Sequence, residues 1–180
     1  MGQLVVHEFM SLDGVIESPS WTGEFGFTPE MGAGIADMMG SSDAILLGRT
    51  TYEMFAPAWS ARTAEEDPGA PFFNDTHKYV VSSSLTDPSW GPASVLAYDA
   101  AEIRALKERS AKVYTSGSAT LVRAMIADDL VDELHLFTYP IALGAGLRLF
   151  PEGHPKTKLS LLSTEHYTNG VVHLSYGPPA

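Results

Sequence analysis

The sequence predicts an α/β fold: one domain, residues 1–180, built on a mixed sheet with helices on both faces and an antiparallel hairpin at its C-terminal end. Three observations predict it. Ala44, Ile45, Leu46 and Leu47 form a continuous apolar run, as in a strand buried on both faces. Strand-like and helix-like periods then alternate as far as residue 127. Finally, Thr168, Asn169 and Gly170 join two strand patterns, and Asn-Gly is a strong hairpin signal.

The elements follow in order. Residues 4–10 read as a first strand, broken by the turn pair Asp13-Gly14. Residues 17–30 mix Ser, Pro, Gly and aromatics as a long loop does. Residues 31–39 suit a short helix, weakened by Gly32 and Gly34. After the strand at 44–47 a helix begins near Thr51 and is expected to end before Pro57. Residues 62–69 are polar and read as an exposed loop. Strands are expected at 78–81, 94–97 and 112–115, and amphipathic helices at 100–109 and 119–127, where Leu121, Val122, Met125 and Ile126 recur at helical spacing. A strand at 131–139 stops at Pro140. Gly144, Ala145 and Gly146 mark a turn, and the hairpin strands are 158–167 and 171–176.

Composition narrows the functional classes. A chain of 180 residues with 44% hydrophobic and 18% charged residues suits one globular domain with a full core. A net charge of −11 argues against binding nucleic acid or anionic membranes without specificity. The absence of cysteine excludes disulfides, thiolate catalysis and cysteine-ligated metal centres. The N-terminus lacks the basic and apolar regions of a signal peptide, and no apolar run is long enough to span a membrane. A cytoplasmic location is expected.

Arg49 is the only Lys or Arg in the first 61 residues, and it stands where the buried strand ends in Gly48 and a helix opens. Unpaired N–H groups and the positive end of the helix dipole make such a corner an anion site. Two other junctions share the polarity, at Ser82, Ser83 and Ser84 and at Ser116, Gly117 and Ser118. If their strands are parallel, all three lie on one carboxyl edge, where open α/β sheets bind ligands. Thr50 with Glu53 matches a capping box. Each feature also has a purely structural reading: Thr50 and Ser118 as helix caps, Ser82–Ser84 as a turn.

Other constellations are less informative. No dinucleotide Gly-x-Gly-x-x-Gly, Walker lysine motif or Gly-x-Ser-x-Gly elbow is present. His7, His135 and His173 fall in strand patterns and are expected to be packed or hydrogen-bonded, so no metal site is expected. Asp128, Asp129, Asp132 and Glu133 read as a solvated connection. Asp13 is either a turn residue or part of a loop over a reactive centre. Glu17, Glu24 and Glu30 follow in reach of the same region.

Taken in order, Ser11-Leu12-Asp13-Gly14-x-Ile16, Leu47-Gly48-Arg49-x-Thr51-Tyr52-Glu53, Lys78-x-Val80-x-Ser82-Ser83, Gly117-Ser118-x-x-Leu121, Leu130-Val131-Asp132-Glu133-Leu134 and Pro140-x-x-Leu143-Gly144-x-Gly146 with Phe150 resemble the dihydrofolate reductase-like family. The closer match is the branch containing the reductase domain of the bifunctional riboflavin-biosynthesis deaminase-reductase. The resemblance covers nearly the whole chain and implies a three-layer αβα sandwich, NADPH as hydride donor and a homodimer. It places Gly48, Arg49, Thr50 and Thr51 at the pyrophosphate and 2′-phosphoadenosine side, and Ser82 and Ser83 at the adenosine end. Gly117, Ser118, Ala119 and Thr120 would line the pyrophosphate from the opposite helix; Phe9, Met10, Ser11 and Ile16 would border the nicotinamide. The third motif reads Gly117-Ser118-Ala119 in place of a Gly-Gly pair, and the acid that contacts the pterin has only Glu30 as a nearby counterpart, so the resemblance points away from folate. The cysteine zinc ligands of the deaminase half are absent.

The expected function is therefore NADPH-dependent reduction of a small heterocyclic (pteridine- or pyrimidine-like) or carbonyl substrate, with Asp13 or Glu30 as candidate catalytic acids. The alternatives are a nucleotide-binding module without turnover and, less favoured, a binder of phosphate esters in general.

Overall fold

The computed structural model describes residues 2–179 and contains one eight-stranded sheet. Its strands are β1 (Gln3–Ser11), β2 (Ala44–Gly48), β3 (Lys78–Val81), β4 (Ala93–Leu96), β5 (Lys112–Thr115), β6 (Glu133–Tyr139), β7 (Ser160–His166) and β8 (Val172–Gly177). Their spatial order is β4-β3-β2-β5-β1-β6-β8-β7. The pairs from β4 across to β6 are all parallel, while β8 runs antiparallel to both β6 and β7. This is the expected mixed sheet.

Five helices cover it: α1 (Pro29–Gly40), α2 (Arg49–Trp59), α3 (Ala70–Asp75), α4 (Ala100–Arg109) and α5 (Ala119–Ala127). Strand alternation divides the core between the two faces. Leu4, Val6, Leu46 and Val113 pack with Ile103 and Leu106 of α4 and Leu121, Val122 and Met125 of α5. On the other face Ile45, Leu47, Val80 and Tyr114 meet Tyr52 of α2 and Phe73 of α3, and Val5, Phe137 and Tyr139 meet Met31 and Met38 of α1. The result is three layers.

Several boundaries move from those expected. A short 3-10 turn, Pro19–Glu24, interrupts the loop after β1. Helix α1 opens at Pro29 because Thr28 caps it, its Oγ1 accepting from the Met31 amide at 3.2 Å. Helix α2 starts at Arg49 with Gly48 as its N-cap, so the Thr50–Glu53 capping box does not form. The same helix runs through Pro57, which lies on its exposed side. Helix α3 has no counterpart in the sequence reading. Its last turn is closed by Lys78, a fully buried lysine whose Nζ donates to the carbonyls of Phe73 at 2.6 Å and Thr76 at 2.8 Å.

The C-terminal hairpin forms as expected. Gly170 adopts a φ of +85°, and Asn169 Oδ1 accepts from the Val171 amide at 3.2 Å. Asp132 is more than a solvated acid. Its Oδ2 takes hydrogen bonds from the Leu4 amide and from Lys107 Nζ, both at 2.6 Å, and so joins β1 to α4. Among the described residues, no helix is long and apolar enough to cross a membrane.

Candidate active site

The ends of β2, β3 and β5 share one edge, as their parallel register requires. Gly48 lies opposite Val81, Ile45 opposite Tyr114, and Val6 of β1 opposite Thr115. Each strand then turns at this edge, β2 and β5 directly into α2 and α5. Two of these turns touch. A Cβ on Gly48 would collide with Ser118 Oγ, and one on Gly117 would lie 2.8 Å from Thr51 Oγ1. Gly117 also has a φ of +72°, a left-handed backbone that favours glycine. The first turns of α2 and α5 are therefore brought together, each presenting helix-start amides.

Beneath this junction lies Glu8, a residue the sequence reading missed. It belongs to the same inward-facing row of β1 as Leu4 and Val6, and an acid in that row is the signal that could have found it. Its Oε1 accepts from the Gly117 amide at 2.8 Å, and the side chain is buried. Burial pushes its pKa up to about 8; the Gly117 hydrogen bond acts in the opposite sense and is outweighed.

These features, with the mixed sheet, fit a family match spanning residues 3–173, described as the RibD C-terminal domain. The chain belongs to that family. A Bacillus subtilis (strain 168) relative, the uncharacterised YwjB, is 28% identical over 177 residues, covering 93% of each chain. Among solved structures, a proposed riboflavin biosynthesis protein from Shewanella sp. PV-4 superposes with a TM-score of 0.77 at 19% identity, covering all of both chains. The riboflavin biosynthesis reductase of Saccharomyces cerevisiae superposes with a TM-score of 0.62 at 15% identity, over 98% of this chain and 89% of that one. These likenesses show the dihydrofolate reductase-like fold expected from the sequence.

The remaining sequence-predicted residues divide by location. Arg49 and Thr50 are exposed at the start of α2, and Thr51 is buried. Arg49 Nη1 pairs with Glu53 at 3.1 Å, on the surface. Ser82 Oγ accepts from the amides of Ser84 and Leu85, so its oxygen shapes the turn after β3, while Ser83 is exposed. Ala119 is buried and Thr120 exposed in the first turn of α5.

At the end of β1, Phe9 faces an aromatic group containing Phe27, Phe137 and Tyr139, and Met10 packs toward the α4–α5 core. Ile16 lies in that same core. Ser11 is buried; it donates to Asp13 Oδ1 at 2.6 Å and accepts from the Val15 amide at 2.9 Å.

Asp13, a candidate catalytic acid, is held by the loops on either side of it. Its carboxylate accepts from Ser11 Oγ and from the amides of Leu143 at 3.0 Å and Gly144 at 2.8 Å, with Arg148 3.5 Å away. The Ser11 hydroxyl and those two amides hold its pKa well below the usual carboxylate range. Asp13 is an anion that fastens two loops. Glu30 is exposed in the first turn of α1 and shows no contact with the β2–β5 junction.

The strand histidines behave as expected. His7 shares a 2.7 Å hydrogen bond with Tyr114 Oη, and burial lowers its pKa to about 3. His135 bonds His173 at 2.9 Å and Glu133 at 3.0 Å. Among the described residues, no group of His, Asp and Glu side chains is disposed to hold a metal ion.

Proposed function

We propose that this protein is an NADPH-dependent reductase acting on a small heterocyclic (pteridine- or pyrimidine-like) or carbonyl substrate. The observation that carries the reading is the junction of Gly48–Thr51 with Gly117–Ser118, where two helix starts converge on the carboxyl edge of a parallel sheet. Both glycines let the two turns close on each other, Gly48 against Ser118 and Gly117 against Thr51, which sets two helix starts side by side for a pyrophosphate, and the local dipoles offset the acidic chain. Arg49 would take the 2′-phosphate. Its exposed bond to Glu53 is worth only about 0.3–0.5 kcal/mol and exchanges readily for a phosphate. Ser83 and Thr120 would flank the bound nucleotide. The dihydronicotinamide, when bound, supplies the hydride, and the protein contributes orientation and electrostatics. With Asp13 ionised and fully bonded, the accompanying proton comes from water.

The test is thermal denaturation with NADPH and NADH, followed by oxidation assays against pterins, pyrimidines and quinones. A ligand at about a hundred times its Kd stabilises the native state by about 2.7 kcal/mol, which raises the melting temperature measurably. An unchanged melting temperature in millimolar NADPH would falsify the reading. Arg49→Ala is expected to weaken NADPH about tenfold or more and to leave NADH little changed; equal losses remove its 2′-phosphate role.

A second reading, a nucleotide-binding module without turnover, is favoured by the state of Asp13, whose carboxylate is held as an anion by the Leu143 and Gly144 amides. It predicts NADPH binding with no oxidation across the panel.

A further inference from the structure

The most unusual group near the β2–β5 edge is the buried carboxyl of Glu8. It is 109 residues from Gly117 in sequence yet accepts that residue's amide hydrogen at 2.8 Å, inside the sheet's covered face. Gly117 in turn sits against Thr51 of α2, and the next residue, Ser118, occupies the N-cap position of α5 and lies against Gly48. One side chain thus sits under the contact between the two helix starts. A buried amide left without an acceptor is costly, so the bond fixes the height of this turn.

We propose that Glu8 is a positioning residue for the cofactor edge, acting through Gly117, and that it does so as a neutral carboxylic acid. This rests on the reading above that dinucleotide phosphates dock where α2 and α5 begin. A neutral acid accepts the Gly117 hydrogen bond through its carbonyl oxygen without placing charge under the phosphates. An ionised one keeps the bond but sets a negative charge in a low-dielectric site directly beneath an anionic ligand.

Among the described residues, no cation forms an ion pair with Glu8. From β5, Tyr114 is the titratable neighbour, and its phenol is pushed above the ordinary range by burial, with Glu8 adding to the shift and a Ser116 hydrogen bond opposing it. Thr115, also from β5, is buried with its Oγ1 unpartnered. From β6, Leu136 lies opposite Glu8 in register, and Glu133 and His135 of that strand bond each other. Arg123 of α5 turns back to the Ala119 carbonyl at 3.1 Å. His7, adjacent in β1, bonds Tyr114 and stays neutral.

The experiment compares NADPH affinity for the wild type, Glu8→Gln and Glu8→Leu across a pH range that brackets about 8, the wild-type midpoint. The wild type is expected to lose affinity as pH rises through that midpoint, by up to about tenfold per pH unit beyond it. Glu8→Gln keeps an acceptor for Gly117 and carries no charge, so it should match the wild type at lower pH and stay flat above. Glu8→Leu should bind more weakly at every pH, with faster hydrogen exchange at the Gly117 amide. Parallel pH profiles for the wild type and Glu8→Gln overturn the inference and leave the reductase reading standing. A wild type that binds no NADPH at any pH overturns the reductase reading itself. If Glu8→Leu does not fold, the comparison with Glu8→Gln still decides.

Discussion

The carboxylate of Asp13 lies 2.8 Å from the amide nitrogen of Gly144, which follows it by 131 residues. With the Leu143 amide, and with Arg148 Nε on the Asp13 carbonyl at 2.9 Å, it fastens the loop after β1 to the loop after β6. Asp13→Ala should therefore lower the melting temperature and speed proteolysis within residues 12–17 and 141–148. Loss of charge-assisted bonds of this type gives a moderate destabilisation, not unfolding. If Asp13 instead donates the catalytic proton, turnover will collapse with no change in stability, and the comparison of the two readouts settles its role.

Gly48 and Ser118 supply a prediction with a built-in control. Gly48→Ala places a methyl group onto Ser118 Oγ, which must force the first turns of α2 and α5 apart. NADPH binding should weaken by at least tenfold, an effect of about 1.4 kcal/mol. Adding Ser118→Gly removes the clash and keeps an acceptable N-cap residue. The double variant should recover most of the affinity; if it does not, the closeness of the two turns is not what Gly48 provides.

Lys78 tests the packing of α3. Lys78→Met keeps the aliphatic stem and removes the cation that closes the carbonyls of Phe73, Asn74 and Thr76. Leaving such buried acceptors without partners costs about 1–3 kcal/mol, a fall of several degrees in melting temperature for a chain of this size. Because α3 lies away from the cofactor edge, NADPH affinity should change little.

The pH dependence of stability follows from two neighbours in β1. Glu8 has its folded pKa raised to about 8 from a reference of 4.5, so the stability it carries is complete below 4.5 and is lost as pH rises through 8. His7 has its pKa lowered to about 3 from 6.5, so its contribution is complete above 6.5 and is lost as pH falls through 3. Between 4.5 and 6.5 the falling Glu8 slope is opposed by that of His7 and by that of His173, whose pKa burial also lowers, so stability should not decline in this range. Above 6.5 the Glu8 slope stands alone, at about 1.4 kcal/mol per pH unit until its midpoint. Urea denaturation as a function of pH measures this, and Glu8→Gln should abolish the alkaline decline.

The sequence was most legible where a single physical period ruled. The apolar run of β2, the helical spacing of Leu121 to Ile126 and the Asn169-Gly170 turn each prescribe a local structure that tertiary contacts reinforce. The shared edge of β2, β3 and β5 was also legible, because parallel strands followed by helices must turn at the same side. What escaped were features that exist only across the fold. Helix α3 is six residues long, too short for a period, and is stabilised by a lysine that follows it. Pro57 suggested an end to α2, yet its exposed position lets the helix pass through. Asp13 and Glu8 look alike as single acids; only their partners, amides from residues 143 and 144 for one and a buried amide at 117 for the other, separate an anchored anion from a neutral acid.

The strand order has a consequence for how the chain comes to be folded. β1 is made first but lies in the middle of the sheet, between β5 and β6. During synthesis its apolar residues wait for one neighbour at positions 112–115 and for the other at 133–139. The emerging polypeptide must therefore leave its future centre unpaired until residues 112–115 have left the ribosome and half-paired until residues 133–139 follow, an interval in which a holding chaperone would have the most to protect.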